Sequence, residues 1–102
     1  MNDKFLSLLG MARRSGRLSL GHDAVIGSVV RNKAKLCVLS YEASERLQRE
    51  INHACTFENK NIPVILTNYT LVELSAAVGS KAAVLSVDDE GFAKALMEKY
   101  NK

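Results

Sequence analysis

An α/β fold, a three-layer α/β/α sandwich around a four-stranded sheet, is what this 102-residue chain predicts. Three observations carry it. Helix-like and strand-like segments alternate from one end to the other, which favours a layered sheet over separate α and β blocks. Leu36-Cys37-Val38-Leu39 is an unbroken apolar run, the pattern of a strand covered on both faces. No internal repeat, linker or low-complexity tract interrupts the chain, so residues 1–102 form a single domain with one core.

The elements follow in order. Phe5, Leu8, Leu9 and Ala12 fall at i, i+3, i+4 and i+7, one face of a first helix that Ser15-Gly16 closes. Arg17-Leu18-Ser19-Leu20 alternates polar and apolar, a short strand by period two. Gly21 breaks it, and Asp23 or Gly21 can cap a second helix of roughly Asp23 to Arg31. Val25, Ile26, Val29 and Val30 lie on adjoining faces of that helix, so it should be substantially buried. Asn32-Lys33-Ala34 is the turn into the strand Leu36 to Leu39. A third helix starts at Ala43, with Ala43, Leu47, Ile51, Ala54 and Cys55 inward. Glu42/Arg46, Glu45/Arg49 and Arg46/Glu50 are i, i+4 pairs on its outer side. Asn59-Lys60-Asn61 ends it, and Pro63 starts the strand Val64-Ile65-Leu66, where a missing N–H is tolerated. Thr70 and Glu73 have capping-box spacing, which predicts a helix to about Val78. Gly79-Ser80-Lys81 turns into the strand Ala83 to Val87. Asp88-Asp89 then caps a last helix with Phe92, Leu96 and Tyr100 on one side.

Composition narrows the function classes. Hydrophobic residues at 47% and charged residues at 25% are those of a globular domain rather than a disordered one. No uncharged run approaches the roughly 20 residues a membrane span needs. The N-terminus lacks the apolar region and cleavage site of a secretory signal, so a cytoplasmic protein is expected. Cys37 and Cys55 have no CxxC and no spaced histidine pair, and so are expected to be free buried thiols in a reducing compartment.

Catalytic groupings are thin. His22 and His53 are the only histidines, no serine sits in a nucleophile elbow, and Cys37 is mid-strand. Asp88-Asp89-Glu90 is better explained by helix capping than by magnesium, and the glycines form neither GxGxxG nor a P-loop. No enzyme mechanism emerges, and no cofactor, metal or small-molecule substrate is expected.

Charge placement is more informative. The net charge is +3, yet residues 1–35 carry seven Lys/Arg against Asp3 and Asp23. Residues 42–58 lean the other way, with four glutamates against Arg46 and Arg49. Arg13, Arg14, Arg17, Arg31, Lys33 and Lys35 flank one helix whose N-terminus, Gly21-His22-Asp23, offers backbone N–H groups and a partial positive charge. Such an edge suits a polyanion. Only Tyr41 stands near it as a stacking aromatic, so a structured RNA held through phosphates and a few base edges fits better than a single strand.

The run LGMARRSGRLSLGHDAV, then RNKAKLCVLSYEAS, NIPVILTNYTLVELSAAVG and AVLSVDDEGFAKAL, resembles the ribosomal-protein superfamily that binds kink-turn RNA. This is the group of the archaeal L seven Ae and eukaryotic L thirty e proteins, and the chain looks closest to its small bacterial YlxQ-type branch. The most specific parts are G-x-D at the helix start, KAKL into the strand and the terminal DEGFAKAL.

The resemblance implies an L thirty e-like α/β/α fold with a mixed sheet. It presents its RNA edge at the second helix's N-terminus and at the loop before the last strand. Gly21 then matches the family's glycine, and His22 and Asp23 hold the base-reading positions. Val78, Gly79, Ser80 and Lys81 form the specificity loop, and Arg13, Arg14, Arg17, Arg31, Lys33 and Lys35 are the phosphate candidates. The implied partners are structured RNA, ribosomal or otherwise kink-turn-like, and ribosome or ribonucleoprotein components, with no membrane. Ala24 stands where a glutamate is expected, Gly27 where a lysine usually faces phosphate, and Ser75 where a glycine is usual. Those losses favour one alternative, a protein-interaction adapter of the same fold that has lost kink-turn specificity. A second alternative is the accessory domain of an RNA-modifying enzyme.

Overall fold

The computed structural model describes residues 3–100. Among them the alternation becomes five α-helices and four strands. They are α1 (Lys4–Arg14), β1 (Leu18–Leu20), α2 (His22–Val30), β2 (Leu36–Ser40), α3 (Glu45–Thr56), β3 (Val64–Thr67), α4 (Leu71–Val78), β4 (Val84–Val87) and α5 (Glu90–Tyr100). A 3-10 turn, Phe57–Asn59, follows α3. The strand order is β1-β4-β2-β3. β4 is antiparallel to both β1 and β2, while β2 and β3 are parallel, so the sheet is mixed.

Strand pleating sends alternate residues of β2 to opposite faces. Leu36 and Val38 join Phe5, Leu9, Leu74, Leu85 and Leu96 under α1, α4 and α5. Cys37 and Leu39 join Val25, Val29, Ile51 and Cys55 under α2 and α3. All five β2 residues are buried, which explains the unbroken apolar run: the strand has no solvent face on which to alternate. On the α1 side, Phe5 stacks on Tyr69 while Tyr100 meets both rings at a tilt, and the Tyr69 hydroxyl donates to Asp3 at 2.7 Å.

Three expectations need correction. Val30 is 66% exposed, whereas Val25 and Val29 are fully buried. α2 rests one stripe on the sheet, and Val30 lies about 100° round from Val29, beyond that stripe. α3 starts at Glu45 rather than Ala43, because the Ser44 side chain accepts from the Leu47 N–H. Of the expected pairs on α3, Arg46–Glu50 forms at 3.4 Å, while Glu42 accepts from the Leu71 N–H at 2.8 Å and so helps start α4.

Asp88 departs further from its expected capping role. Asp89 alone caps α5, through the Phe92 N–H. The Asp88 carboxylate accepts from the hydroxyls of Ser19 and Ser28 at 2.6 Å each and of Ser86 at 2.8 Å. One half-buried acid thus ties together β1, α2 and β4. Among the described residues, no helix is long and apolar enough to cross a membrane.

Candidate nucleic-acid interface

The α2 start is built on Gly21. This residue is the N-cap with φ 90° and ψ 163°, a region that side-chain-bearing residues avoid. Its N–H donates to the Val84 carbonyl at 3.0 Å, which fastens the helix start to the first residue of β4. Helix α2 therefore begins at His22, with glycine rather than Asp23 as its cap. No side chain caps α2, so its first-turn amides keep their capacity for an anion.

His22 and Asp23 are both exposed at that start. The His22 ring reaches the Asp23 carboxylate through Nδ1 at 3.2 Å and the Glu50 carboxylate of α3 through Nε2 at 3.1 Å. A neutral imidazole donates from only one nitrogen, so one of these contacts is a donation and the other needs the second proton. The expected base-reading positions thus hold one histidine and one carboxylate, with the Glu50 carboxylate of α3 beside them.

The second side is the loop before β4. Gly79 closes α4 in the left-handed conformation, φ 76°, and donates to the Ser75 carbonyl at 2.8 Å. The Ser75 hydroxyl accepts from the Ala82 N–H at 3.2 Å, folding residues 79–82 back onto the helix. This gives Ser75 a structural role in the loop. Arg13 completes the frame: its Nε donates to the Val78 carbonyl at 3.2 Å, and its terminal nitrogen reaches the Ser80 hydroxyl at 3.5 Å. The Val78 side chain is buried, so it supports the loop from within, while Lys81 is exposed. Because this loop runs into Val84, which Gly21 grips, the two sides adjoin.

The cations do not form one rim. Nine residues of α2 span about 13 Å. Arg17, Lys33 and Lys35 lie at the far end: the Arg17 carbonyl accepts from Asp88 N–H, Lys33 N–H donates to Ser28, and Lys35 N–H donates to Val87. Arg31 lies between the two ends. Its guanidinium folds back over Gly27, with one nitrogen 3.1 Å from where a β-carbon there would be. That charge sits along α2, about five residues from its start, in space a side chain at position 27 would occupy. Arg13 instead reaches the loop before β4. Its contact with Val78 joins positions 65 residues apart, and no local pattern marks it.

Other chemistry is sparse. Cys37 and Cys55 are free, buried and 3.5 Å apart across β2 and α3. The hydrogen bond between the two thiols, together with burial, pushes the Cys37 thiol up, away from the reactive thiolate. Among the described residues no group of three or more His, Cys, Asp or Glu is placed to hold a metal ion. A groove of about 480 Å³ lies between α1 and α4, lined by Leu6, Gly10, Val72 and Ala76 among others, on the sheet face opposite α2.

The chain is similar to known proteins. The "RNA-binding protein YlxQ" of Bacillus subtilis (strain 168) is 30% identical over 95 residues, covering 92% of each chain. Its namesake from Enterococcus faecium is 26% identical over 95 residues, 93% of this chain and 89% of that one. A solved structure of a protein of unknown function from Bacillus halodurans C superposes with a TM-score of 0.91 at 28% identity, covering 99% of this chain and 100% of that chain. The Giardia lamblia 15.5kD RNA binding protein shares the fold, with a TM-score of 0.76 at 18% identity, over 99% of this chain and 88% of that one. The family model described as "Ribosomal protein L7Ae/L30e/S12e/Gadd45 family" matches residues 3–97, and the chain belongs to that family.

Proposed function

We propose that this protein is a non-catalytic, cytoplasmic RNA-binding protein of the translation apparatus. It grips structured RNA between the α2 start and the loop before β4. The observation that carries this reading is the Gly21 N–H bond to Val84, which joins a helix start with uncapped first-turn amides to a loop bearing exposed Lys81. The relatives named RNA-binding proteins support the same partner. Backbone amides and His22 would meet base edges and phosphates; Lys81 would supply charge beside them, with Arg13 steadying the loop. Kink-turn RNA is the preferred substrate class in this reading, with ribosomal or ribonucleoprotein RNA as its source.

The test is a fluorescence-anisotropy titration with a kink-turn RNA and with the same RNA in which the tandem G·A pairs are made Watson–Crick. Tighter binding of the first by tenfold or more is expected. Equal affinity for both would overturn the kink-turn preference. Log affinity that does not fall with log salt would overturn RNA binding through phosphates.

A second reading has its own observation. Asp23 and Glu50 surround His22, and carboxylates repel phosphate, which suits a protein-interaction adapter. In that case neither RNA would bind at low salt, and the groove between α1 and α4 would be the surface to map.

A further inference from the structure

We propose that the far end of the sheet is a second RNA-backbone surface, so that one chain holds two RNA segments at once. The inference rests on RNA as the partner, but not on the site at the α2 start.

Arg17, the Lys33–Lys35 turn, Lys60 and Lys94 come from four separate stretches of chain, and the fold gathers them there. Leu18 and Leu36 both pair with Val87, so Arg17 and Lys35, each one residue earlier, straddle the end of β4. Two strand spacings, about 10 Å, separate them. Lys35 and Lys60 line one shallow depression of about 270 Å³, together with Asn32, Asn61 and Pro63. Lys35 and Lys94 line the next, of about 260 Å³. The Lys60 ammonium donates to the Asn32 side chain at 2.6 Å, which brings the turn carrying Lys33 alongside.

Charge neutralisation within the protein is slight at this end. Among the described residues none of the five cations forms an ion pair with a carboxylate. Asp88, whose backbone N–H donates to the Arg17 carbonyl, already accepts from three serine hydroxyls. Glu90 beside Lys35 and Lys94, and Glu58 near Lys60, are the acids that adjoin the patch.

The spacing selects the ligand. A small anion needs cations that converge on one point, whereas these are strung across the strand ends. A polymer with one charge per residue matches a line of separate cations. A protein partner would need an apolar anchor at the centre of its contact. Of the large exposed apolar side chains none lines either depression; Val30 and Phe57 line a separate one at the Lys60 margin, off the line of cations. A phosphodiester backbone fits better, and a plain RNA stem supplies one.

The experiment is native mass spectrometry and sedimentation of the full chain at low salt with a short RNA hairpin that lacks any internal loop. Wild type should bind two hairpins. The variant Lys33→Ala/Lys35→Ala/Lys60→Ala should bind one with its melting temperature unchanged, and Arg13→Ala/Lys81→Ala should retain the hairpin held at the far end. One hairpin on wild type, lost in Arg13→Ala/Lys81→Ala but kept in the triple variant, would overturn the second surface and leave the proposed function standing. One hairpin lost only in the triple variant would support this surface, and leave the site at the α2 start to the kink-turn titration above. Displacement of both hairpins by polyglutamate, with no binding recovered on dilution of the peptide, would overturn the RNA assignment in favour of an acidic polypeptide.

Discussion

Asp88 shows how much one side chain can hold. Three serine hydroxyls from β1, α2 and β4 donate to its carboxylate, so Asp88→Ala removes the acceptor from all three at once. Each stranded hydroxyl costs about 1 kcal/mol, and urea denaturation should show a loss of about 2–4 kcal/mol. Asp88→Asn keeps one acceptor oxygen and should lose less. Tyr69 carries a pH dependence. Burial, reinforced by its hydrogen bond to Asp3, pushes the Tyr69 hydroxyl above its ordinary value. The unfolded chain releases that proton near pH 10 while the folded chain keeps it, so stability is intact below pH 10 and falls above it. Tyr69→Phe should flatten that fall in a thermal melt series from pH 8 to 11. Gly27 separates stability from binding. A β-carbon there would lie 3.1 Å from the mobile end of Arg31, which can move aside. Gly27→Ala should therefore stabilise the helix by about 0.5–1 kcal/mol. It should also weaken RNA affinity several-fold, because the guanidinium no longer lies along α2.

Individual elements were legible where burial and local chemistry agree. The apolar run of β2, the Thr70–Glu73 capping box and the alternating β1 all stand where the pattern places them. Val30 misled because hydrophobicity alone does not say how wide a stripe the sheet covers. Asp88 misled because an acid before a helix resembles a cap, and its serine partners come from positions up to 69 residues away. The same limit hid the loop contact of Arg13: its partner is brought near by α1 packing on α4, which no short window encodes. This contact sets a prediction for the loop. Arg13→Ala removes the donor on Val78, and amide hydrogen exchange at residues 79–82 should quicken at least tenfold. The melting temperature should fall little, since the side chain is exposed and the α1 core residues remain buried.

At the scale of the whole molecule, the sheet separates what the chain keeps adjacent. Residues 12–39 read as one cationic stretch, yet α2 carries the chain from one end of the sheet to the other. His22 and Asp23 thus stand at one end, and Lys33 and Lys35 at the other. Charge counted along a sequence does not report that separation. The fold class was legible because alternating elements and a doubly buried strand leave few alternatives; in the candidate site, the glycine that starts α2, the exposed polar pair and the turn at Gly79 were legible, but the charge map was not. NMR chemical-shift mapping of the full chain with a kink-turn RNA tests the proposed edge most directly. Amides of residues 21–24 and 79–82 should shift first and together, while Leu6, Gly10 and Ala76 in the groove between α1 and α4 stay still. Shifts confined to that groove, with Gly21 and Lys81 unmoved at saturation, would contradict it.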